Sequence, residues 1–302
     1  MRKRQLGKSE LYISEVGLGC MSLGTEEKHA LSLIDAAIEQ GINYFDTADL
    51  YDFGRNEELV GKAIKHRRKD IILATKVGNR WKDDKTGWSW DPSKAYIKEA
   101  VKQSLLRLQT DYIDLYQLHG GTIEDNIDET IEAFEELKLE GVIRYYGISS
   151  IRPNVIKEYL KKSSIISIMM QYSLLDRRPE EWFSLMKENG VSVIARGPLA
   201  KGLLTEKPLS LKLLNKGYLS YSKEELEKQL VELENVDTHH SMTELALQYC
   251  LYQDAIGTVI PGASKIQQLI ENATAGSGVP LDPQTYEKLQ QLTKLDKYEQ
   301  HR

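Results

Sequence analysis

Strand-like and helix-like segments alternate eight times along the 302-residue chain, and this alternation constrains the fold more than any other feature. One kind of segment is a short apolar run, such as Ile71 to Ala74, which suits a strand covered on both faces of its sheet. The other kind repeats apolar residues at helical spacing, as between Glu27 and Glu39, and Gly41 follows that repeat. Eight such pairs in series predict an α/β fold with a parallel sheet.

The unbroken series favours a single closed (β/α)8 barrel, the TIM barrel, over an open doubly wound sheet. We expect one domain over residues 1–302, with an N-terminal β-hairpin between Gln5 and Ile13 and long loops after strands three and seven, at Val77–Pro92 and Lys201–Ser241. The tail after Val279 is also long. The predicted strands are Val16–Leu18, Tyr44–Phe45, Ile71–Thr75, Ile113–Leu118, Val142–Ile148, Ile166–Met170, Val191–Ala195 and Thr258–Ile260, and the predicted helices are Glu27–Glu39, Glu57–Lys65, Ser93–Leu108, Ile127–Leu139, Pro153–Lys161, Glu180–Lys187, Thr243–Tyr252 and Ile266–Ala275.

Ionisable residues stand at the ends of three consecutive predicted strands. Asp46, Lys76 and His119 follow strands two, three and four, and Tyr51 lies in the loop after strand two. Barrel enzymes carry their working residues at the C-terminal ends of the strands, and adjacent strands lie about 4.8 Å apart. We therefore expect these four side chains to converge at one end of the barrel.

A phenol, an ammonium, a carboxylate and an imidazole suit proton donation to a carbonyl oxygen. Tyr51 would be the acid, because a nearby ammonium such as Lys76 stabilises the phenolate that forms. Asp46 would hold Lys76 in place and keep it charged, and His119 would orient the carbonyl group or assist the proton transfer. None of these groups can supply a hydride, so a reduction here needs a cofactor.

Each of these residues also has a structural interpretation. His119 alone would be a barrel-end histidine with satisfied hydrogen bonds, and Asp46 with Lys76 would be a buried ion pair. Lys76 would also suit a Schiff-base lyase, although a carboxylate that keeps the amine protonated disfavours that chemistry. The arrangement of all four residues in register favours a catalytic site.

Short motifs recur in order along nearly the whole chain. They are Gly41-Ile42-Asn43-Tyr44-Phe45-Asp46-Thr47-Ala48, Thr75-Lys76, Gln117-Leu118-His119, Gly147-Ile148-Ser149, Gln171-Tyr172-Ser173, Gly197-Pro198-Leu199, Gly202-Leu203-Leu204-Thr205 and Pro261-Gly262-Ala263 before Glu271-Asn272. Together with Tyr51 they resemble the aldo-keto reductase superfamily, and most of all its bacterial members with an Ile-Pro-Gly-Ala segment. The resemblance implies reduction of an aldehyde or ketone to an alcohol, with NADPH as the cofactor and Tyr51 as the proton donor.

The resemblance also implies which residues bind this cofactor. Ser149 and Gln171 would hold the nicotinamide carboxamide, and Asp46 would also reach the nicotinamide ribose. Residues Gly197, Pro198, Leu199 and Gly202 would follow the pyrophosphate, Gly262, Ser264, Lys265 and Gln268 would surround the adenosine 2′-phosphate, and Glu271 and Asn272 would contact the adenine. Backbone amides at the start of the last predicted helix, near Ser264 and Lys265, are also a reasonable anion site on physical grounds.

The chain departs from the pattern of this superfamily at a few positions. Arg196 stands where a tyrosine commonly lies against the nicotinamide, and its planar guanidinium would stack in that place or move the ring. Ser150 replaces a common asparagine. Gly262 and Gln268 replace a common lysine and arginine, which leaves Lys265 as the nearest cation to the 2′-phosphate.

Charge and cysteine content bear on partners and location. The net charge of −5 argues against a general attraction to nucleic acid or anionic membranes. Cys20 and Cys250 are the only cysteines, and no set of residues has metal-ligand spacing. Because no run approaches the roughly 18 apolar residues of a membrane span, we expect a cytoplasmic protein without a metal.

Two alternatives stay open at this point. The chain would be a reductase, or a nicotinamide-binding regulatory protein that keeps the fold with negligible turnover. Trp81, Trp88 and Trp90, in the loop after strand three, would either wall an apolar substrate pocket or pack that loop on itself.

Overall fold

The computed structural model describes residues 1–206 and 214–302 and shows an eight-stranded parallel sheet that closes into a barrel. The strands of the described residues are β1 (Lys3–Gln5), β2 (Tyr12–Ser14), β3 (Leu18–Gly19), β4 (Tyr44–Asp46), β5 (Ile72–Val77), β6 (Asn79–Trp81), β7 (Trp88–Trp90), β8 (Ile113–Leu118), β9 (Ile143–Ser149), β10 (Ser167–Gln171), β11 (Ser192–Arg196) and β12 (Ile256–Ile260). The barrel order is β3, β4, β5, β8, β9, β10, β11 and β12. Bridges from Val16 to Val259 and from Gly19 to Gly262 join its two edges. The predicted (β/α)8 barrel is therefore confirmed.

Helices surround this barrel in the described part of the chain. They are α1 (Glu27–Glu39), α2 (Arg55–Ile64), α3 (Lys94–Leu108), α4 (Ile127–Leu139), α5 (Pro153–Lys162), α6 (Phe183–Glu188), α7 (Lys223–Glu234), α8 (Met242–Tyr252), α9 (Ile266–Ser277) and α10 (Pro283–Leu292). Within the ranges 1–206 and 214–302, no helix is both long enough and apolar enough to cross a bilayer.

Regular structure is present in three segments that were predicted to be loops or tail. The loop after β5 folds into the antiparallel hairpin of β6 and β7. The segment expected to be irregular between Lys201 and Ser241 includes α7, which begins with a capping box between Ser222 and Glu225. The connection is long, as predicted, but part of it is helical rather than irregular; residues 207–213 of the same segment lie outside the described residues. The tail contains α10, capped by Asp282.

Alternation along the strands separates two apolar layers. Tyr44, Ala74 and Leu115 belong to a cluster inside the barrel, whereas Phe45 and Leu73 belong to the layer between sheet and helices. Because side chains alternate faces, the residues two positions after the interior members also point inward. Those residues are Asp46, Lys76 and Gln117. The interior of the barrel is thus apolar in its middle layer and polar at the C-terminal ends of its strands.

The N-terminal hairpin covers the opposite end of the barrel. Leu6, Leu11 and Ile13 are buried in the interior cluster. At Gly7, whose φ is +55°, an added Cβ would lie 2.2 Å from the carbonyl oxygen of Ile166, so the turn packs directly against the start of β10. The hairpin therefore seals the barrel on the side away from the polar strand ends.

A stability measurement tests the close packing of α2 on α3. Gly61 lies within α2, and a Cβ there would come within 2.5 to 2.6 Å of the backbone of Leu108. Alanine favours helix by about 1 kcal/mol over glycine, but overpacking against backbone costs about 1–3 kcal/mol. We expect the steric cost to exceed the gain in helix propensity, so Gly61→Ala should lower the free energy of unfolding measured in urea. The control Gly87→Ala, where a Cβ meets open space, should lie within about 0.5 kcal/mol of wild type. Equal stability of both variants would contradict this packing.

Candidate active site

Lys76 is the centre of the polar cluster at the C-terminal ends of the strands. Its side chain is fully buried, and its Nζ donates to Asp46 Oδ1 at 2.5 Å, to the carbonyl oxygen of Thr47 at 2.8 Å and to Tyr51 Oη at 3.2 Å. An ammonium has three protons to donate, so these three acceptors satisfy it completely. The structure therefore brings three of the four predicted catalytic side chains into direct contact.

Charge within this cluster is set by burial and by close pairing. Burial opposes the charged form of Lys76, but the carboxylate of Asp46 and the phenol of Tyr51 outweigh it and raise the pKa of this lysine. Burial raises the pKa of Asp46, while Lys76 and a hydrogen bond from Gln117 oppose that shift. Lys76 is therefore a cation at neutral pH, held beside the hydroxyl of Tyr51.

Tyr51 begins a strained turn that leads into α2. In the 3-10 helix Tyr51–Gly54, Asp52 and Phe53 have φ values of 48° and 50°. Left-handed conformations of non-glycine residues cost about 1–3 kcal/mol each, so the surroundings must enforce them. A Cβ on Gly54 would lie within 3 Å of the side chains of Trp81 and Arg107. The β6–β7 hairpin and α3 thus pack closely against this turn.

His119 lies beside the ring of Tyr51, one residue beyond β8. The two ring centroids are 5.9 Å apart, with planes at 84° to each other. Its Nδ1 is buried and has no hydrogen-bond partner among the described residues. Burial, together with the charges of Lys76 and Arg196, lowers the pKa of His119 to about 3. The imidazole is therefore neutral at physiological pH.

The predicted nicotinamide-contacting residues lie at the ends of the next three strands. Ser149, Gln171 and Arg196 are the last residues of β9, β10 and β11. Gln171 and Arg196 pair in register, and Arg196 Nη1 donates to Gln171 Oε1 at 3.2 Å. Arg196 is exposed, and its positive charge contributes to the lowered pKa of His119. These polar strand ends extend the lysine-centred cluster across the barrel mouth.

The residues predicted to bind the phosphates and the adenine of the cofactor form two further groups. Gly197 (φ 65°) and the buried Pro198 and Leu199 lead from β11 into the 3-10 helix that ends at Gly202. After β12, Gln268 Oε1 accepts from the backbone N–H and the hydroxyl of Ser264 at 3.1 and 3.2 Å. Asn272 Nδ2 donates to the carbonyl oxygen of Gly262 at 3.4 Å, Lys265 precedes α9, and the exposed Glu271 accepts from Gln267 at 3.0 Å. The first group lies after β11 and the second after β12 and in α9, separate from the lysine-centred cluster.

The tryptophans of the β6–β7 hairpin take different roles. Trp81 packs edge-on against Phe53, with ring centroids 6.1 Å apart, and the guanidinium of Arg107 lies over its ring. Trp90 donates its indole N–H to Asp125 and covers Gly120, directly after His119. Trp88 is 53% exposed. Trp81 thus packs against the turn after Tyr51, and Trp90 packs against the glycine after His119.

Gln117 is a residue of this site to which the sequence reasoning gave no role. It is fully buried and pairs in register with Lys76, and its Nε2 donates to Asp46 Oδ2 at 3.1 Å. The signal was present in the sequence, because Gln117 stands two positions before His119 and so shares its face of β8. Asp46 is therefore held by an amide on one oxygen and by Lys76 on the other.

Comparison with known proteins places the chain in a family. Residues 15–294 match the model of the Aldo/keto reductase family, and the chain belongs to that family. It is thus an oxidoreductase-type barrel, from a family that acts on small carbonyl compounds and whose members typically bind nicotinamide cofactors.

Individual relatives are similar along most or all of the chain. An uncharacterized oxidoreductase of Bacillus subtilis (strain 168), YqkF, is 69% identical, with full coverage of both chains. The aldo-keto reductase YhdN of the same organism is 34% identical, over 89% of this chain and 87% of its own length. The holo form of aldo-keto reductase AKR11C1 from Bacillus halodurans superimposes with a TM-score of 0.96 at 64% identity, over 100% of this chain and 99% of the other.

The charge state of His119 is open to a direct test. With its pKa lowered to about 3, the ring should stay neutral, so its NMR resonances should not titrate between pH 5 and 8. His240 provides an internal comparison, because partial burial is outweighed by its hydrogen bonds to Asp237 and the Val279 carbonyl oxygen together with the nearby carboxylates, which raise its pKa. Assignment by His119→Asn identifies the signal. A His119 titration near pH 6.5 would contradict the buried, cation-flanked environment described here.

Proposed function

We propose that this protein reduces an aldehyde or ketone to the corresponding alcohol, with NADPH as the hydride source. The observation that carries the proposal is the contact of one buried ammonium with both a carboxylate and a phenol, Lys76 with Asp46 and Tyr51. When bound, the nicotinamide supplies the hydride that reduces the carbonyl carbon. The chain itself must then supply one proton to the carbonyl oxygen.

Tyr51 is the proton donor in this proposal. Its hydroxyl transfers the proton to the carbonyl oxygen, which becomes the alcohol, and the negative charge left on the phenolate faces Lys76 Nζ at 3.2 Å. A preorganised charge in a buried site stabilises such a developing anion without reorganisation. His119, being neutral, can donate a ring N–H to the carbonyl oxygen without competing as a second cation. Asp46 would keep Lys76 charged and in place, and would also reach the nicotinamide ribose.

Residues across the barrel mouth would hold the cofactor. Ser149 and Gln171 would bind the carboxamide, Gly197 to Gly202 the pyrophosphate, Gly262 to Gln268 the 2′-phosphate, and Glu271 with Asn272 the adenine. Two observations support a fit. A Cβ on Gly197 would find only Gln171 nearby, at 3.8 Å, so the backbone there is open to close approach. The first turn of α9 has no side-chain cap, and Lys265 stands at that position, as an anion site requires.

The charge and the free thiols suggest a location and a set of partners. Cys20 and Cys250 are both buried and unbonded, which suits a reducing compartment. We therefore propose a cytoplasmic protein of a single domain that acts on small molecules rather than on nucleic acid or membranes. Arg196 is proposed to lie beside the nicotinamide ring, in the place of the common tyrosine.

Removal of the Tyr51 hydroxyl tests the proton-donor assignment. Tyr51→Phe should lower kcat for a panel of aliphatic and aromatic aldehydes and ketones by about 10²- to 10⁴-fold, because it removes the acid and little else. The Kd for NADPH, followed by fluorescence, should stay within about twofold of wild type. Tyr12→Phe, on the exposed hairpin, is the matched control. An active Tyr51→Phe would refute the assignment, and a wild-type protein that oxidises no NADPH with any carbonyl in the panel would refute the function.

Substitution of Lys265 tests the proposed preference for NADPH over NADH. This lysine is the one cation that the proposal places at the 2′-phosphate, and hydrogen bonds to charged groups contribute about 1.5–3 kcal/mol. Lys265→Ala should therefore raise the Kd for NADPH about tenfold or more and leave the Kd for NADH unchanged. Lys288→Ala, exposed on α10, should change neither constant. An equal loss of affinity for NADPH and NADH would show that Lys265 does not bind the 2′-phosphate.

A further inference from the structure

Gln171 is held from both sides, and this fixes the orientation of its amide. Its Oε1 accepts from Arg196 Nη1 at 3.2 Å, while its Nε2 donates to Asp176 Oδ2 at 2.9 Å and to Tyr218 Oη at 3.2 Å. A cation on one side and a carboxylate on the other permit only one amide orientation. Both N–H groups are used, so the free capacity of Gln171 toward a ligand is that of an acceptor, at Oε1.

Asp176 links this amide to the C-terminal tail. It is 2% exposed, and its two carboxylate oxygens accept from Arg178 Nε and Nη2, both at 2.7 Å. The guanidinium carbon of Arg178 lies 4.8 Å from the ring centroid of Tyr298, which is 6% exposed. A charge-assisted bidentate pair and a desolvated cation–π contact are both directional, so they transmit position. An ordered chain of contacts therefore runs from Tyr298 through Arg178 and Asp176 to Gln171.

The ring of Tyr298, rather than its hydroxyl, makes the described contact. Its Oη is buried and has no hydrogen-bond partner within the ranges 1–206 and 214–302. The tail has other anchors, because Arg177 donates to the carbonyl oxygens of Gln290 and Thr293, and Arg302 pairs with Glu181. Loss of the Tyr298 ring would thus leave the tail attached while removing its contact with Arg178.

We propose that Tyr298, Arg178 and Asp176 are positioning residues that set the nicotinamide through Gln171. The inference rests on the proposed function, in which Gln171 Oε1 accepts from the carboxamide N–H of the cofactor. It assigns to the tail an effect on the reaction centre, although tail and Gln171 are separated by more than 120 residues in sequence. The effect is specific to the nicotinamide end of the cofactor, because the chain of contacts ends at Gln171.

Binding of two related ligands to Tyr298→Leu tests the proposal. NADPH contains the nicotinamide, whereas 2′-phospho-ADP-ribose keeps the adenosine 2′-phosphate and pyrophosphate and lacks it. We expect Tyr298→Leu to raise the Kd for NADPH about threefold or more, the scale of one lost cation–π contact, and to leave the Kd for 2′-phospho-ADP-ribose unchanged. Tyr298→Phe, which keeps the ring, should restore NADPH binding. Glu299→Gln, its exposed neighbour, is the control.

A double-mutant cycle separates coupling from general damage. In a Gln171→Leu background, Tyr298→Leu should weaken NADPH binding no further, because its effect passes through the amide that is already lost. The proposal is overturned if Tyr298→Leu binds NADPH as wild type does, if it weakens both ligands equally, or if the two substitutions weaken binding multiplicatively. A wild-type protein that binds neither NADPH nor NADH would overturn the proposed function itself, which is a different result.

Discussion

The buried pair of Lys76 and Asp46 is the interaction on which the rest of the site depends. Taking two charges out of water costs several kcal/mol per ion, and the attraction between them repays that cost only when the remaining donors and acceptors are satisfied. Here the remaining donors of Lys76 go to the Thr47 carbonyl oxygen and the Tyr51 hydroxyl, and the second oxygen of Asp46 is held by Gln117. A buried ion pair is by itself weak support for stability, which agrees with the part in proton transfer that we propose for this pair.

The same alternation that builds the barrel places these groups. Tyr44, Ala74 and Leu115 fill the interior, and the next inward positions on the same three strands are Asp46, Lys76 and Gln117. The polar layer is thus one pleat above the apolar layer, at the end that the N-terminal hairpin does not cover. Trp81 of the β6–β7 hairpin and Arg107 of α3 pack against the strained turn after Tyr51.

Much of this arrangement was predictable from the sequence, because its determinants are local and periodic. Apolar runs and helical repeats predicted the eight units, and the strand-end positions of Asp46, Lys76 and His119 predicted their convergence. What could not be predicted depends on contacts between distant segments. Nothing near Asp176 in the sequence indicates that Tyr298 packs on its partner Arg178. α7, by contrast, carries local signals in the sequence, namely the Ser222 and Glu225 capping box and Leu226, Leu230 and Leu233 at helical spacing.

The most direct test of the central claim is the single-turnover rate of hydride transfer in Lys76→Met at saturating NADPH, on protein shown to be folded by circular dichroism. If the ammonium stabilises the Tyr51 phenolate as the proton leaves, the rate should fall about a hundredfold or more with the cofactor still bound. A Lys76→Met protein that transfers hydride within threefold of the wild-type rate would contradict the account, because the buried cation would then have no part in the proton transfer.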